Sequence, residues 1–277
     1  MSSVKLYKYS GAGNDFVLID GRSLDAATLA HYRSSETISN LCDRHSGFLA
    51  AAGRIGADGL MILGQKEGLD FVMEYYNSDG SGGMMCGNGG RCITAFAFDM
   101  GIRPAGDHFR FEAADGLHSA EILRGKGTRK IVRIGMIDAF GLRKLLGGYF
   151  LNTGTRHFVL FCPDVEAVEI DKQGSELRWN AEFAPEGANV NFVTALSDGT
   201  LKVRTFEKGV EAETLACGTG LTASAIAAHI AGIPATKKDG QRVSYQLHAR
   251  QDDLSVDFIP ADPATEVFLT GPAEQII

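Results

Sequence analysis

The sequence lacks most of the features that place a chain in a membrane, outside the cell or on a nucleic acid. No apolar run approaches the roughly 20 residues that span a bilayer, and the start, MSSVKLYKYS, lacks the apolar core of a secretory signal. The five cysteines are an odd number without a CxxC pair, which opposes a disulfide framework and a zinc site. A net charge of −7 opposes nucleic-acid binding. We therefore expect a cytoplasmic protein that acts on a small molecule, with no metal, membrane or nucleic-acid partner.

Glycine is the residue that is over-represented. The chain has 34 glycines in 277 residues, and they gather in short clusters rather than in a linker. Such clusters are typical of places where the backbone must approach another group closely. The length itself suggests about two domains.

Two segments of the chain repeat each other. MMCGNGGRCITAFAF (84–98) and LACGTGLTASAIAA (215–228) share Cys-Gly-x-Gly followed by small and apolar residues. Each follows a strand-like stretch, LDFVMEYY (69–76) or LKVRTF (201–206), and then a polar turn at 77–80 or 207–209. Further upstream, GNDFVLID (13–20) resembles GTRHFVLF (154–161). Three matching features in the same order indicate two homologous halves.

The repeats predict an α+β protein in which each half has several strands and one principal helix. The helices should begin at the Cys-Gly-x-Gly segments, run through 90–100 and 221–231, and stop at a glycine with a proline soon after. The expected domains are residues 1–130 and 131–265. A final strand at 266–273 is expected to return to the first half, so that 266–277 belongs to it.

The repeated cysteines, Cys86 and Cys217, are the strongest candidates for chemistry. A thiol at a helix start faces unpaired N–H groups and the positive end of the helix dipole, which lowers its pKa from about 8.5 toward neutrality. The same N–H groups can bind a carboxylate, and the flanking glycines leave room for it. For Cys42, Cys92 and Cys162 we expect packing roles.

If the two halves face each other, one thiol can lie on each side of a carbon next to a bound carboxylate. One cysteine as thiolate can then remove the α-proton while the other delivers a proton to the opposite face. This predicts two-base inversion of an amino acid without a cofactor. Packing roles or a redox-active pair are the alternatives that the residues leave open.

Five segments of the sequence together resemble diaminopimelate epimerase. GAGNDFVLID, RIGADGLMIL, YNSDGSGGMMCGNGGRC, NVNFV and ETLACGTG follow in that order from residue 11 to 220. The resemblance implies two pseudo-symmetric domains, each a curved, mostly antiparallel sheet or barrel around a central helix. It also implies cofactor-independent interconversion of LL- and meso-diaminopimelate for lysine and peptidoglycan synthesis, by an enzyme that is commonly a homodimer.

The resemblance also assigns roles to individual residues. Cys86 and Cys217 are the catalytic pair. His157 is placed near the reacting centre. The residues implied to bind substrate are Gly87, Asn88, Gly218 and Thr219 at the α-carboxylate, Glu207 at the α-ammonium, and Asn14, Asn77 and Asn189 elsewhere, the last two toward the distal end.

Three departures from the family pattern concern the distal end of the substrate and one loop. Thr155 and Arg156 stand where the family usually has Asn-Pro before the histidine, and Lys208 stands where it has arginine. Lysine cannot repeat the bidentate grip of arginine on a carboxylate, so we hypothesise that Arg156 replaces it while Thr155 keeps a hydrogen-bonding group. Residues 48–54, FLAAAGR, look like an insertion. It could form part of a lid or lengthen a surface loop, and we favour the loop.

Two other functions remain open on the sequence. A racemase of another amino acid would tolerate the changes at Thr155 and Lys208. A non-catalytic carboxylate-binding or redox-sensing protein could use the same fold.

Overall fold

A computed structural model describes residues 4–48, 55–83 and 85–276 of the chain. It divides into two compact units, Met1–Ile134 with Pro272–Ile277, and Gly135–Gly271. The strands are β1 (Leu6–Gly11), β2 (Asn14–Asp20), β3 (Gly59–Gly64), β4 (Phe71–Asn77), β5 (Phe109–Ala113), β6 (Gly116–Lys126), β7 (Arg129–Gly135), β8 (Phe140–Leu145), β9 (Gly148–Asn152), β10 (Arg156–Phe161), β11 (Asn189–Ala195), β12 (Leu201–Glu207), β13 (Ala212–Thr214), β14 (Lys237–Asp239), β15 (Arg242–His248), β16 (Asp253–Ile259) and β17 (Thr265–Gln275).

The helices are fewer than the strands. They are α1 (Ala26–Tyr32), α2 (Ser35–Cys42), α3 (Gly87–Asp99), α4 (Ile170–Arg178) and α5 (Gly218–Ile230), with short 3₁₀ turns at Val165–Ala167 and Ala181–Phe183. The predicted α+β class is therefore confirmed.

In the first unit the sheet closes into a barrel. Each strand from β1 to β6 pairs with the next along the chain, and the pairing returns from β7 to β1 through the end of β17. The Gln275 N–H donates to Thr128 O at 2.8 Å and the Ile276 N–H donates to Lys8 O at 2.7 Å, so the last residues of the chain join β7 to β1. A closed sheet leaves no edge strand exposed.

The helix α3 fills this barrel. It packs against β1, β2, β3, β4 and β6, and every residue from Gly87 to Ala97 is buried. Strand β1 approaches the helix so closely that a Cβ on Gly11 would lie 2.9 Å from Cys92 Sγ and 3.0 Å from the Asn88 carbonyl oxygen. Glycine at this strand position therefore permits the helix to lie against the sheet.

The two short helices of the first unit cover one side of the barrel. Each begins at a capping side chain, with Asp25 accepting a hydrogen bond from the Thr28 N–H and Ser34 accepting one from the Thr37 N–H. Ile38 of α2 is fully buried against Val17 and other residues of the first three strands.

The second unit repeats the pairing pattern of the first. Its strands follow the order β8, β9, β10, β11, β12, β15, β16, β17, with β13 beside β12 and β14 beside β15. The pairs β10–β11 and β12–β15 are parallel and the others are antiparallel. In the first unit the pairs β2–β3 and β4–β5 are the parallel ones, at the equivalent places in the order.

The helix α5 occupies the place in the second unit that α3 has in the first. It packs against β9 to β12, β15 and β16, and most of its residues are buried. The helix α4 packs on β11 and β12 and adds Ile170 to a core that contains Phe158, Phe183 and Phe192. Trp179 at the end of α4 is 61% exposed.

The secondary structure predicted from the repeats is confirmed. Both principal helices begin at glycines that follow the repeated cysteines and end within two residues of the predicted stops. The four strands that were expected before them are present as β2, β4, β10 and β12. The final strand exists as β17, whose first residues pair with β16 and whose last pair with β1. Of the expected insertion at 48–54, all but Phe48 lies outside the described residues.

Candidate active site

The first candidate thiol caps the central helix of the first unit. Cys86 is the N-cap residue of α3, with extended backbone angles of φ −116° and ψ 123°, and it is partly exposed. Its carbonyl oxygen accepts the hydrogen bond of the Gly90 N–H at 2.7 Å, which closes the first helical turn. The N–H groups of the residues just after Cys86 have no carbonyl partner within the helix, as at any helix start. This end of α3 can therefore bind an anion.

Asn88, in that first turn, is held between two other side chains. Its Nδ2 donates to Asn14 Oδ1 at 2.7 Å, and its Oδ1 accepts from Arg91 Nη2 at 2.9 Å. Asn14 Nδ2 in turn donates to Asp58 Oδ2 at 2.9 Å. The predicted substrate-binding residues Asn14 and Asn88 are thus brought together, and each amide has a fixed orientation.

Arg91 is the residue that ties this helix start to the end of the chain. Its guanidinium is fully buried and donates to Gly87 O at 3.2 Å, to Pro272 O at 3.2 Å and to Asn88. A buried cation at the start of a helix adds to the positive potential there. Arg91 was not predicted from the sequence, although a charged residue inside an otherwise small and apolar helix is a signal in itself.

Behind Asn14 lies a cluster of four charged side chains. Lys8 and Asp15 are both fully buried, with Lys8 Nζ 2.9 Å from Asp15 Oδ2. Arg44 binds Asp15 Oδ1 at 2.7 Å and also pairs with Asp58. Burial raises the pKa of Asp15, but hydrogen bonds from Arg44 and Lys8 outweigh it, so the pKa lies below its usual range. Asp58 is therefore held in place, and it holds Asn14.

Asn77, the third predicted asparagine in the first unit, is the last residue of β4 and begins the polar turn after it. Its Nδ2 donates to Ser81 Oγ at 3.0 Å, and its carbonyl oxygen accepts from the Gly80 N–H at 2.9 Å. Gly80 has φ +81°, which explains the glycine at this turn position. These contacts are internal to the turn, and a role toward substrate stays a prediction.

The second candidate thiol caps the central helix of the second unit. Cys217 is the N-cap of α5, with φ −110° and ψ 109°, close to the angles at Cys86, and it is 7% exposed. Its Sγ lies 3.4 Å from Thr219 Oγ1. Gly220 of α5 lies very close to Asn191 on β11, because a Cβ on residue 220 would lie 2.3 Å from Asn191 Oδ1. Glycine at this position therefore permits the helix start to lie beside Asn191. Gly218 is buried at the first helical position.

His157 lies beside this helix start and is fully buried. Its Nε2 is 2.9 Å from Thr219 Oγ1 and 2.9 Å from Thr155 Oγ1, and its Nδ1 is 3.0 Å from Asn191 Nδ2. Burial lowers the pKa of His157 from 6.5 to about 3, so the imidazole is neutral at physiological pH. Asn191 was not selected from the sequence, but it lies two residues after Asn189 on β11, and alternate residues of a strand share one face.

Asn189 joins the same group of side chains. Its Nδ2 donates to Thr155 Oγ1 at 3.1 Å and to Arg156 O at 3.2 Å, while its Oδ1 accepts from the Lys208 N–H at 2.7 Å. Of the residues predicted for the site, the structure thus places Thr155, His157, Asn189, Thr219 and Cys217 in one hydrogen-bonded network.

The side chain of Arg156 has a different partner. Its Nη1 pairs with the carboxylate of Glu186, and its guanidinium lies 5.2 Å from the centre of the Phe150 ring. Glu186 is 59% exposed on its side chain, so this pair is open to solvent. Glu207, at the end of β12, is partly buried and stands opposite Ala212 of β13. Lys208 is exposed and joins the network through its backbone.

The other three cysteines differ from the two at helix starts. Burial raises the pKa of Cys42 and of Cys92 to about 12, and it also raises the pKa of Cys162. These thiols are protonated at neutral pH. In residues 4–48, 55–83 and 85–276, no three His, Cys, Asp or Glu side chains are grouped so as to hold a metal ion. Within the same residues, no helix has the length and apolar character needed to cross a membrane.

Comparisons with known proteins agree with the resemblance. A family model described as diaminopimelate epimerase matches residues 6–137 and 149–275. A diaminopimelate epimerase from Aquifex aeolicus is 37% identical, over 99% of this chain and 96% of the relative. Among solved structures, a Bacillus anthracis phenazine biosynthesis protein of the PhzF family has a TM-score of 0.74 at 10% identity, covering 100% of this chain and 98% of that one. A probable proline racemase from Agrobacterium radiobacter has a TM-score of 0.64 at 16% identity, covering 98% and 90%. These two structures share the fold.

Proposed function

Because the chain belongs to the diaminopimelate epimerase family, we propose that it interconverts LL- and meso-2,6-diaminopimelate by inverting one α-carbon. The observation that carries the proposal is the repeated placement of the two thiols. Cys86 and Cys217 each cap the central helix of a unit, and the two units share one order of parallel and antiparallel pairs.

The proposed proton transfers use only these two thiols. One cysteine, as thiolate, takes the α-proton and becomes a thiol, while the other gives its proton to the opposite face and becomes a thiolate. Backbone N–H groups of the first turns, at Gly87, Asn88, Gly218 and Thr219, bind the α-carboxylate, and Glu207 binds the α-ammonium. Charge that develops on the carboxylate in the transition state is stabilised by donors already in place.

At the distal end of the substrate we propose that Arg156 binds the second carboxylate. Lys208 provides only a point charge there, whereas a guanidinium binds a carboxylate through two parallel hydrogen bonds. In support, Arg156 already binds a carboxylate, that of the exposed Glu186. Glu186 would then be displaced by the substrate.

The distal-end proposal is tested by two variants that act in opposite directions. Arg156→Ala should raise the KM for diaminopimelate about 10- to 100-fold, since a hydrogen bond to a charged group contributes about 1.5–3 kcal/mol. Glu186→Gln should lower the KM, because the competing carboxylate is removed. If Arg156→Ala changes neither KM nor kcat, another residue binds the distal carboxylate.

The reaction itself is tested by α-proton exchange in deuterated water with several amino acids. Exchange and stereoisomer interconversion are expected with diaminopimelate. Exchange with free histidine or proline, and none with diaminopimelate, would instead identify a racemase of another amino acid. If the protein is a non-catalytic binder, no amino acid exchanges, and Cys86→Ser and Cys217→Ser leave carboxylate binding intact.

We place the reaction in the cytoplasm and expect a homodimer. The five cysteines are free thiols, which suits a reducing compartment. The oligomeric state is read by sedimentation velocity of the purified chain.

A further inference from the structure

The side chains beside Cys217 form a hydrogen-bonded network whose direction can be worked out atom by atom. It starts at Asn191, whose Nδ2 lies 3.3 Å from the Phe158 carbonyl oxygen and whose Oδ1 lies 3.0 Å from Thr205 Oγ1. A carbonyl oxygen can only accept, so the NH₂ group must face Phe158. The amide orientation of Asn191 is therefore fixed.

The orientation of Asn191 decides the tautomer of His157. Because Nδ2 of Asn191 also lies 3.0 Å from His157 Nδ1, that ring nitrogen must accept a hydrogen bond. In a neutral imidazole the proton is then on Nε2, which donates to the hydroxyl oxygens 2.9 Å away on Thr219 and Thr155.

A second arm arrives from Asn189. Its Oδ1 accepts from the Lys208 N–H and its Nδ2 faces the Arg156 carbonyl oxygen, so this amide is fixed as well. Asn189 Nδ2 therefore donates to Thr155 Oγ1. The Thr155 hydroxyl, already an acceptor, has its own proton to give, and Thr219 Oγ1 lies 3.3 Å away.

Both arms end on the Thr219 hydroxyl as an acceptor, which leaves its single proton for the sulfur of Cys217 at 3.4 Å. We propose that Thr219 donates this hydrogen bond and so holds Cys217 as the thiolate of the resting enzyme, with Thr155 and His157 as positioning residues. The inference rests on the proposed function and assigns the resting base of the pair to Cys217, with Cys86 as the thiol. It also gives Thr155, a departure from the family pattern, a role.

Other charged or titratable side chains stand on the strands that pack against α5 and belong to the same electrostatic surroundings. They are Tyr149, Arg156, Lys202, Arg204, Glu207, Arg242, Tyr245, His248, Asp253 and Asp257. The test must therefore remove the hydroxyl proton without changing any charge.

Thr219→Val makes that change, because valine keeps the shape of threonine. Wild type and variant are alkylated with iodoacetamide between pH 5 and 10, and the rate at each cysteine is read by mass spectrometry of its peptide. The midpoint for Cys217 should rise by about one pH unit in Thr219→Val, as expected for a lost hydrogen bond to a charged sulfur. Thr219→Ser should restore it, and the midpoint for Cys86 should stay unchanged as an internal control.

An unchanged Cys217 midpoint in Thr219→Val, or an equal shift at Cys86, would overturn the proposal. If the valine variant does not fold, Thr155→Val decides, since Thr155 is exposed and its loss removes one donor onto Thr219. A smaller rise at Cys217 is then expected, and none would contradict the proposal. Alkylation needs no substrate, so a failure to epimerise diaminopimelate would count against the proposed function and leave this result readable.

Discussion

A neutral, buried His157 makes the stability of the second unit depend on pH. Its pKa is about 3 in the folded chain, and 6.5 is its ordinary value, so the unfolded chain binds one more proton between these limits. The neutral ring makes its full contribution to the free energy of unfolding above about pH 6.5. That contribution is lost as the pH falls toward 3.

The size of the effect follows from the unfolded pKa. At pH 5.0 the unfolded imidazole is 1.5 units below its pKa of 6.5, which corresponds to about 2 kcal/mol at 1.36 kcal/mol per unit. Any folded-state pKa below about 4 gives nearly the same figure, because the native ring is then neutral at pH 5.0. Between pH 7.5 and 5.0, wild type should lose about 2 kcal/mol more than His157→Gln, which has no titrating ring.

Urea unfolding at pH 7.5, 6.5, 5.5 and 5.0, followed by tryptophan fluorescence, measures this difference. Trp179 is the single tryptophan of the chain and lies in the same unit as His157. Its fluorescence therefore reports on the unfolding of that unit. All other titrating groups are common to wild type and variant, and they cancel in the comparison. Parallel stability curves for the two proteins would refute a buried neutral His157.

Three further predictions test other parts of the account. Asn88→Ala removes one acceptor of the buried Arg91, so we expect a loss of about 1–3 kcal/mol in urea unfolding together with a raised KM. Gly220→Ala places a Cβ 2.3 Å from Asn191 Oδ1 and should lower stability by about 1–3 kcal/mol, whereas Gly106→Ala, with nothing within 4 Å, should change it little. Dialysis against EDTA should leave turnover unchanged, and a loss that zinc or magnesium restores would contradict the two-thiol mechanism.

Much of the fold could be predicted because the halves repeat. The Cys-Gly-x-Gly pattern predicts where both central helices begin. Its glycines are the small residues that a closely packed helix start requires. The polar turn at the end of β4 could be predicted from the residues Asn77 to Gly80. The short helices α1, α2 and α4 were not predicted, because they occur outside the repeated segments on which the prediction depended.

The site was predicted less completely than the fold. Residues within a motif, such as Asn88 and Thr219, could be proposed as site residues because the motifs that contain them resemble those of the family. Asp58, Asn191 and Glu186 could not, because their roles depend on contacts across strands or between distant loops that a single sequence does not reveal. Each of them holds another side chain, and such positioning residues have no fixed spacing in the chain.

The pairing of Cys86 with Cys217 in one reaction is tested most directly by isotope incorporation. LL-diaminopimelate is incubated with the enzyme in deuterated water, and product and remaining substrate are separated early in the reaction. Two thiols acting on opposite faces predict deuterium at the inverted α-carbon of the product and little in the remaining substrate. Cys86→Ser and Cys217→Ser should each slow inversion by about 10² to 10⁴. Equal early deuterium in substrate and product, or full turnover after either substitution, would contradict the two-base mechanism.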